Sequence, residues 1–258
     1  MSNIFSSPAA GLRVDDRETL IYAIPRADLP TSPLLPKLFT LTSDSFHGIQ
    51  KQPVLPPDLK RFGGGVEQYL GEIRHDGWTF VLSFADDAQD ILGTFTVVPG
   101  ASKAPDPTAA DQSAASSEST IGGVGGKKLH PAFLDMAEIE LVDGEARWTL
   151  RLLCVNVNYQ RRGIADWLMQ FAEDVVVRFE VQKNATISAG VPTTVVRFLL
   201  TTIEELTGAY YAKRGWLIFN AKKMPPGFIG SEGGFTLIDM YKMVPIVATS
   251  RVQSPMAL

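Results

Sequence analysis

The sequence predicts an α+β domain in three layers, with helices on both faces of a mixed, mostly antiparallel central sheet. Three observations lead to this fold class. Segments rich in β-branched and aromatic residues occur in pairs joined by short turns, which indicates hairpins. One long amphipathic helix follows the second pair. A further strand, a short helix and two more strands complete an order that is typical of α+β domains.

The elements are predicted in order from local patterns. Strands are expected at residues 19–24, 78–84, 91–98, 136–142, 147–155, 194–200, 216–222 and 235–243. Helices are expected at residues 34–42, 66–74 and 164–179, with a short helix that ends at Tyr211. An Asp143-Gly144 turn joins the strands of the second predicted hairpin.

The length and composition predict one domain. The chain has 258 residues, of which 45% are hydrophobic, enough for a single buried core. We expect this domain to span residues 1–258, with a core at about 19–247, because the first twenty residues are polar. A flexible insertion is predicted at about 100–130, where Gly, Ala, Ser and Pro dominate.

Charge and cysteine content exclude several classes of partner. The net charge of −4 and pI near 5.5 disfavour nucleic acid and acidic membranes as partners. No stretch approaches the roughly 20 apolar residues that span a bilayer, and no secretory signal is present. The single cysteine, Cys154, excludes a disulfide framework. We therefore expect a cytoplasmic protein, with the nucleus left open, and the three scattered histidines predict no metal site.

A basic glycine turn between a buried strand and a helix carries the main functional signal. The segment 152–155 is apolar, Gln160-Arg161-Arg162-Gly163 forms the turn, and Ile164 and Ala165 open the helix. The first N–H groups of a helix have no intrahelical partner, and the helix dipole adds positive charge there. The turn can therefore hold a phosphate, although a turn of this kind also occurs as plain packing.

Two motifs resemble those of the GNAT superfamily of acetyl-CoA-dependent N-acetyltransferases. Gln160 to Ala165 matches the family's Gln/Arg-x-x-Gly-x-Gly/Ala signature. Tyr210-Tyr211-Ala212-Lys213-Arg214-Gly215-Trp216 is similar to the second family motif and lies at the expected distance downstream. Three positions depart from the family pattern: Val157, Glu204 and Ala165. We expect a member of fungal type.

The resemblance implies a site for acetyl-CoA as co-substrate. A β-bulge would splay the strand that carries Val155 away from the parallel strand at 194–200, and the pantetheine arm would enter the gap. The cofactor-binding residues implied are Val155, Asn156, Val157, Gln160, Arg161, Arg162, Gly163, Ile164 and Ala165. The main chain near Val155 and Val157 would pair with the pantetheine amides like an added strand.

Two residues are candidates for proton transfer. The family implies Tyr211 as the acid that protonates the departing thiolate, although a buried tyrosine can also serve only in packing, as Tyr210 would. Strand alternation places Glu138 and Glu140 on one face, so Glu140 could act as the base. Two solvated carboxylates on an edge hairpin explain the same pattern.

The predicted function is transfer of an acetyl group from acetyl-CoA to a primary amine by direct attack in a ternary complex. The acceptor would be a small-molecule or peptide amine. Two alternatives stay open: a non-catalytic GNAT-fold binding or scaffold module, since fold alone does not fix activity, and an acyltransferase that uses another acyl-CoA. The sequence specifies neither the acceptor nor the oligomeric state.

Overall fold

An eight-stranded sheet forms the middle layer of the protein in the computed structural model, which describes residues 5–48, 54, 61–62, 64–100, 142–186, 191–228 and 231–247. The strands are β1 (Phe5–Val14), β2 (Arg17–Pro25), β3 (Trp78–Phe84), β4 (Ile91–Pro99), β5 (Glu145–Val155), β6 (Val195–Ile203), β7 (Leu217–Met224) and β8 (Phe235–Pro245). The helices are α1 (Leu35–Gly48), α2 (Gly65–Gly71), α3 (Ile164–Thr186) and α4 (Ala209–Ala212).

The sheet order is β1-β2-β3-β4-β5-β6-β8-β7. Among the strands described, only β5 and β6 pair in parallel, and the other neighbours are antiparallel. A parallel pair needs a crossover, and α3 supplies it. The predicted fold class, an α+β domain with a mixed and mostly antiparallel sheet, is therefore confirmed.

Apolar residues on the two sheet faces form separate cores. One core packs α3, through Ile164 and Leu168, against Phe80, Phe95 and Leu150. The core on the other face packs α1 and α2 against the sheet, through residues that include Leu38, Tyr69, Val81 and Leu152. Helices on both faces give the three predicted layers.

The N-terminal segment differs from its prediction. We expected the first twenty residues to lack regular structure, but β1 pairs with β2 from Phe5↔Ala23 to Val14↔Arg17. Asp15 and Asp16, with φ values of 51° and 60°, form the turn between them. Two consecutive positive φ values match the type I′ hairpin turn, which Asp tolerates. Backbone pairing forms this edge strand, and Ala9 and Val14 bury their side chains in the core under α3.

The other described elements lie where the sequence predicts them, with shifted ends. The helix α3 runs to Thr186, seven residues beyond its predicted end, and a π-helical turn at Glu204–Gly208 precedes α4. The predicted strand 136–142, apart from Val142, and the insertion after residue 100 lie outside the described residues. None of the helices described is both long and apolar enough to cross a membrane.

Candidate active site

The strands β5 and β6 pair at one end only. Their register runs over five residue pairs, from Glu145↔Val195 to Thr149↔Leu199. Beyond Thr149, β5 continues to Val155 beside β4, and β6 continues beside β8 to the pair Ile203↔Leu237. The second half of β5, residues 150–155, therefore has no strand on its β6 side among the described residues. This half is called the open half below.

A β-bulge lies in the open half. Thr96 is opposite Arg151 and Thr94 is opposite Cys154, so Leu152 and Leu153 together oppose one residue of β4. Leu152 has a φ of 53°, a conformation that a bulky side chain rarely adopts. A bulge bends its strand and increases the local twist. It therefore accounts for the departure of β5 from β6.

The turn after β5 brings backbone N–H groups to the start of α3. Arg161 and Gly163 have φ values of 64° and 78°, and a Cβ at Gly163 would meet nothing within 4 Å. Trp167 N–H donates to Gly163 O at 3.0 Å. The N–H groups of Ile164 and Ala165 precede this bond and have no intrahelical partner. The turn is thus open towards solvent and rich in donors.

The backbone of Val155 points towards the opened edge. Asn156 N–H donates to Leu92 O on β4 at 2.9 Å, and backbone groups alternate between the two edges of a strand. The Val155 carbonyl accepts a hydrogen bond from Gln160 Nε2 at 3.3 Å, which ties the turn to the strand. Val157 begins a 3-10 turn at Val157–Tyr159. The strand therefore ends at Val155, and Val157 lies in the turn that follows. The predicted contacts of both residues with the cofactor stay predictions.

Arg162 has an acidic partner on the β1–β2 turn. Its Nη1 forms an ion pair with Asp15 Oδ1, and its guanidinium lies 5.6 Å from the centre of the Tyr159 ring. Tyr159 OH in turn donates to Asp90 Oδ2 at 2.9 Å, and this bond raises the pKa of the phenol. An N-terminal hairpin thereby contacts the glycine turn.

Asp166, in the first turn of α3, is held by the second motif. Arg214 donates to it through Nε at 2.5 Å and through Nη2 at 2.7 Å, and Tyr210 OH donates at 2.8 Å. Arg214 holds the pKa of this carboxyl below its usual range. The negative charge that Asp166 places beside the helix N-terminus is therefore neutralised. The sequence interpretation missed this cluster, which joins the two motifs physically.

Tyr211 is half-buried beside the open half of β5. Its ring packs against Tyr210 at 5.2 Å and Trp216 at 5.9 Å between centroids. Burial, and after it Cys154, raises the pKa of the Tyr211 phenol. The phenol therefore stays protonated near neutral pH. Glu138 and Glu140 lie outside the described residues, so the proposed base stays a prediction.

Gly93 on β4 determines how closely α3 approaches the sheet. A Cβ at this position would lie 2.9 Å from Leu168 Cδ1 and 2.9 Å from Cys154 O. Such contacts are too short for real side chains. With any residue other than glycine at position 93, the start of α3 would therefore have to move away from the sheet. The residue was missed because a lone strand glycine usually indicates only a bulge or a close approach.

A cleft of about 330 Å³ adjoins the end of β5 on the side of α1. Its lining residues include Lys37, Leu41, Asn156 and Val157. Lys37 Nζ donates to Gln89 O at 2.8 Å across one wall. Within the described ranges, no group of three His, Cys, Asp or Glu residues could hold a metal ion.

Comparison with known proteins finds similarity in structure only. No protein-family model matches the chain, and the search of curated proteins returned no match. Ribosomal-protein-alanine N-acetyltransferase from Brucella melitensis is 13% identical over 87% of this chain and 99% of that chain, with a TM-score of 0.40. An acetyltransferase of the GNAT family from Streptococcus pneumoniae is 12% identical over 88% and 99%, with a TM-score of 0.43.

Spermidine N-acetyltransferase from Vibrio cholerae, solved with CoA and spermine, is 14% identical over 87% of this chain and 95% of that chain, with a TM-score of 0.39. Such low values leave activity and substrate open, but the topology is informative by itself. It includes one parallel pair, an opened strand beyond Thr149, and a glycine turn into α3. These features agree with those that the sequence resemblance to the GNAT superfamily implies. The expectation of fungal type stays a prediction.

Proposed function

We propose that this protein is an acetyltransferase of GNAT type that moves the acetyl group of acetyl-CoA to a primary amine. The observation that carries the proposal is the position of the open half of β5, which runs directly into the donor-rich turn at Arg161 to Gly163. One groove thus offers a strand edge that β6 does not cover and, after it in sequence, an anion site. The thiol-bearing arm and the diphosphate of acetyl-CoA need these two features in that order.

The residues at the turn fit a diphosphate. Gly163 points its Cα hydrogens into open space, so a phosphate can approach the backbone closely. The N–H groups of residues 161–165 and the side chains of Arg161 and Arg162 would supply donors and positive charge. Arg214 neutralises Asp166, the acidic side chain nearest the helix start in sequence. Val155, Asn156 and Gln160 would line the pantetheine arm.

The chemistry requires direct attack by an amine on the thioester. The N–H of Val155 would polarise the carbonyl, and the departing sulfur would take a proton from Tyr211. The raised pKa of the Tyr211 phenol supports this role because the group keeps its proton until a thiolate forms beside it. The acceptor would be a small-molecule or peptide amine.

Binding is tested by thermal unfolding with acetyl-CoA. Ligand at 100 times its Kd should stabilise the wild type by roughly 2.7 kcal/mol. Gly163→Glu should abolish this shift because it places a carboxylate in the phosphate position. Gly227→Glu is the matched control, since Gly227 also has a positive φ, of 86°, and open space around its Cα. No shift for the wild type at millimolar acetyl-CoA would overturn the proposal.

Turnover separates the enzyme from a non-catalytic binding module. Release of free thiol is followed with polyamines, aminoglycosides, amino acids, aminosugars and basic peptides as acceptors. Tyr211→Phe should lower kcat by about 100-fold with little change in acetyl-CoA affinity. Binding without turnover, unaffected by Tyr211→Phe, would instead support the module. Parallel assays with longer acyl-CoA substrates decide which acyl group is preferred.

A further inference from the structure

The cleft beside the end of β5 has no role in the function proposed so far. Its volume of about 330 Å³ lies at the lower end of the range for pockets that bind small molecules. One wall is a single face of α1, through Lys37, Thr40 and Leu41, which are three and four residues apart. The other walls are the turn between β3 and β4 and the segment 156–158 that leaves β5. The cleft therefore lies on the α1 side of the sheet.

Hydrogen bonds hold the walls of this cleft in place. Asn156 Nδ2 donates to Ile91 O at 3.1 Å, and Asn156 Oδ1 accepts from the N–H of Asn158 at 3.1 Å. Lys37 Nζ donates to Gln89 O at 2.8 Å, which ties α1 to the turn between β3 and β4. The start of β4 is thus joined to both other walls. The cleft is therefore formed before a ligand binds, as most small-molecule sites are.

Lys37 is the charged group of the cleft that can bind a ligand. It forms no ion pair with the described residues. An ammonium group has three N–H donors, and the bond to Gln89 uses one of them. Asp90 also lines the cleft, but its Oδ2 accepts from Tyr159 OH at 2.9 Å and lies 3.9 Å from Arg17 Nη1. This carboxylate therefore already has a donor and a cation.

The uncharged lining residues fit a short aliphatic chain that ends in a carboxylate. Leu41, Ile91 and Val157 supply apolar surface, and Val157 is 48% exposed. The side-chain amides of Gln89 and Asn158 can donate hydrogen bonds to carboxylate oxygens. A diphosphate carries more negative charge than one lysine offsets, and an ammonium ion is repelled by Lys37. The chemistry of the cleft therefore favours a small organic monocarboxylate.

The cleft adjoins the groove that would hold acetyl-CoA. Asn156, in the cleft wall, directly follows Val155, and consecutive Cα atoms lie about 3.8 Å apart. In the proposed function the N–H of Val155 polarises the thioester carbonyl. A ligand in the cleft therefore touches the same segment of chain as the bound thioester, from the α1 side.

We propose that this cleft binds the carboxylate of a small aliphatic acid, with Lys37 as its cationic partner. The carboxylate has one of two sources. It belongs to the acceptor, which is then an amino acid, and this source rests on the proposed acetyltransferase function. Otherwise it belongs to a separate organic acid that binds beside the groove.

Calorimetry with 4-methylvalerate and 4-methylvaleramide tests the binding of a carboxylate. The two probes have the same shape, and only the acid carries a charge. The acid should bind the wild type with a Kd on the order of 1 mM, and the amide should bind at least about tenfold more weakly. Lys37→Met keeps the aliphatic length of the side chain and should weaken binding of the acid by at least about tenfold. Lys222→Met, at an exposed lysine on the edge strand β7, is the matched control and should leave the Kd unchanged.

Acetyl transfer to leucine and to leucinamide identifies the source of the carboxylate. The amines of the two differ in basicity, so the comparison uses the ratio of their kcat/KM values in the wild type and in Lys37→Met. A fall of this ratio by at least about tenfold in Lys37→Met assigns the carboxylate to the acceptor. An unchanged ratio, or no transfer to either compound, assigns it to a separate acid if 4-methylvalerate binds as expected.

Two results of the calorimetry would overturn the inference. One is 4-methylvalerate that binds the wild type no better than its amide, and the other is equal binding to the wild type and Lys37→Met. Neither result touches the proposed function, because that depends on acetyl-CoA binding and thiol release. Conversely, a wild type that lacks transferase activity still binds 4-methylvalerate if the cleft is a carboxylate site.

Discussion

The two halves of β5 show how one strand serves stability and binding separately. Residues Glu145–Thr149 pair with β6 along their whole length, and Trp148 and Thr149 pair with β4 as well. Residues 150–155 pair with β4 alone among the described residues. The first half is held by burial and cross-strand pairs, and the second half faces the groove along the edge that β6 does not cover. A sheet can therefore form a ligand groove simply by ending one ladder early.

The paired half contains a dense set of contacts. Trp148 is buried opposite Phe198, its ring meets Phe179 edge-on at 5.4 Å, and its Nε1 donates to the buried Glu180 at 2.9 Å. Glu145 accepts a hydrogen bond from Arg197 Nη2 at 2.7 Å across the parallel pair. The open half instead contains Leu152, which has a positive φ, and Arg151, whose Nη1 donates to the backbone carbonyl of Glu72 on α2 at 3.2 Å.

The largest effect on stability should come from the paired half. Trp148→Ala should lower the free energy of unfolding by about 3–5 kcal/mol because it creates a cavity and removes a donor from Glu180. The Kd for acetyl-CoA of the folded protein should change less than twofold, as measured by calorimetry. A loss of affinity that exceeds the loss of stability would contradict the separation of the two halves.

A smaller effect is expected where the open half meets α3. Arg214→Gln removes the cationic partner of Asp166 and so leaves an uncompensated negative charge at the start of α3, where the diphosphate would bind. Acetyl-CoA affinity should fall roughly two- to fivefold, the range for one charge near a helix terminus. Adding Asp166→Asn to Arg214→Gln should restore the affinity, and calorimetry on the four proteins of this cycle measures the coupling. An equal loss in the double variant would show that Arg214 acts in another way.

The smallest effect is expected at the hairpin that contacts the turn. Asp15→Asn should free Arg162 for the diphosphate and tighten acetyl-CoA binding by about twofold, because exposed ion pairs are weak. Asn also tolerates the positive φ of this position, so the turn should persist. Asp16→Asn, in the same turn, is the control and should leave the Kd unchanged. Weaker binding of Asp15→Asn would mean that the ion pair orders Arg162 for binding.

The sequence predicted the α3 side of the molecule well for physical reasons. A 3.6-residue apolar period identifies α3, and the positive φ at Gly163 is a conformation that glycine adopts without strain. The hairpin of β3 and β4 follows from β-branched and aromatic residues. The edge strand β1 was missed because the apolar residues that it buries, Ala9 and Val14, stand far apart among small and polar residues and give no alternating pattern.

The α2 side could not be predicted in the same way. Glu72 follows a short amphipathic segment, where a glutamate is normally solvated. Its burial depends on Arg61 and Arg151, which are distant in sequence and meet only in the folded chain. The clamp of Arg214 on Asp166 depends likewise on the position of α4 beside α3. Such contacts between distant segments need the tertiary structure.

The bulge also sets the phase of the side chains that follow it. Leu150 belongs to the core under α3, Leu152 to the core under α1 and α2, and Leu153 packs again on the α3 side. If the same sequence paired with β4 without the bulge, simple alternation would turn every residue of β5 after Arg151 over, which would exchange the surroundings of Cys154 and Val155. One inserted residue thus decides which face of the sheet each side chain of the open half occupies and, in the proposed function, which face would receive the thioester and which the amine.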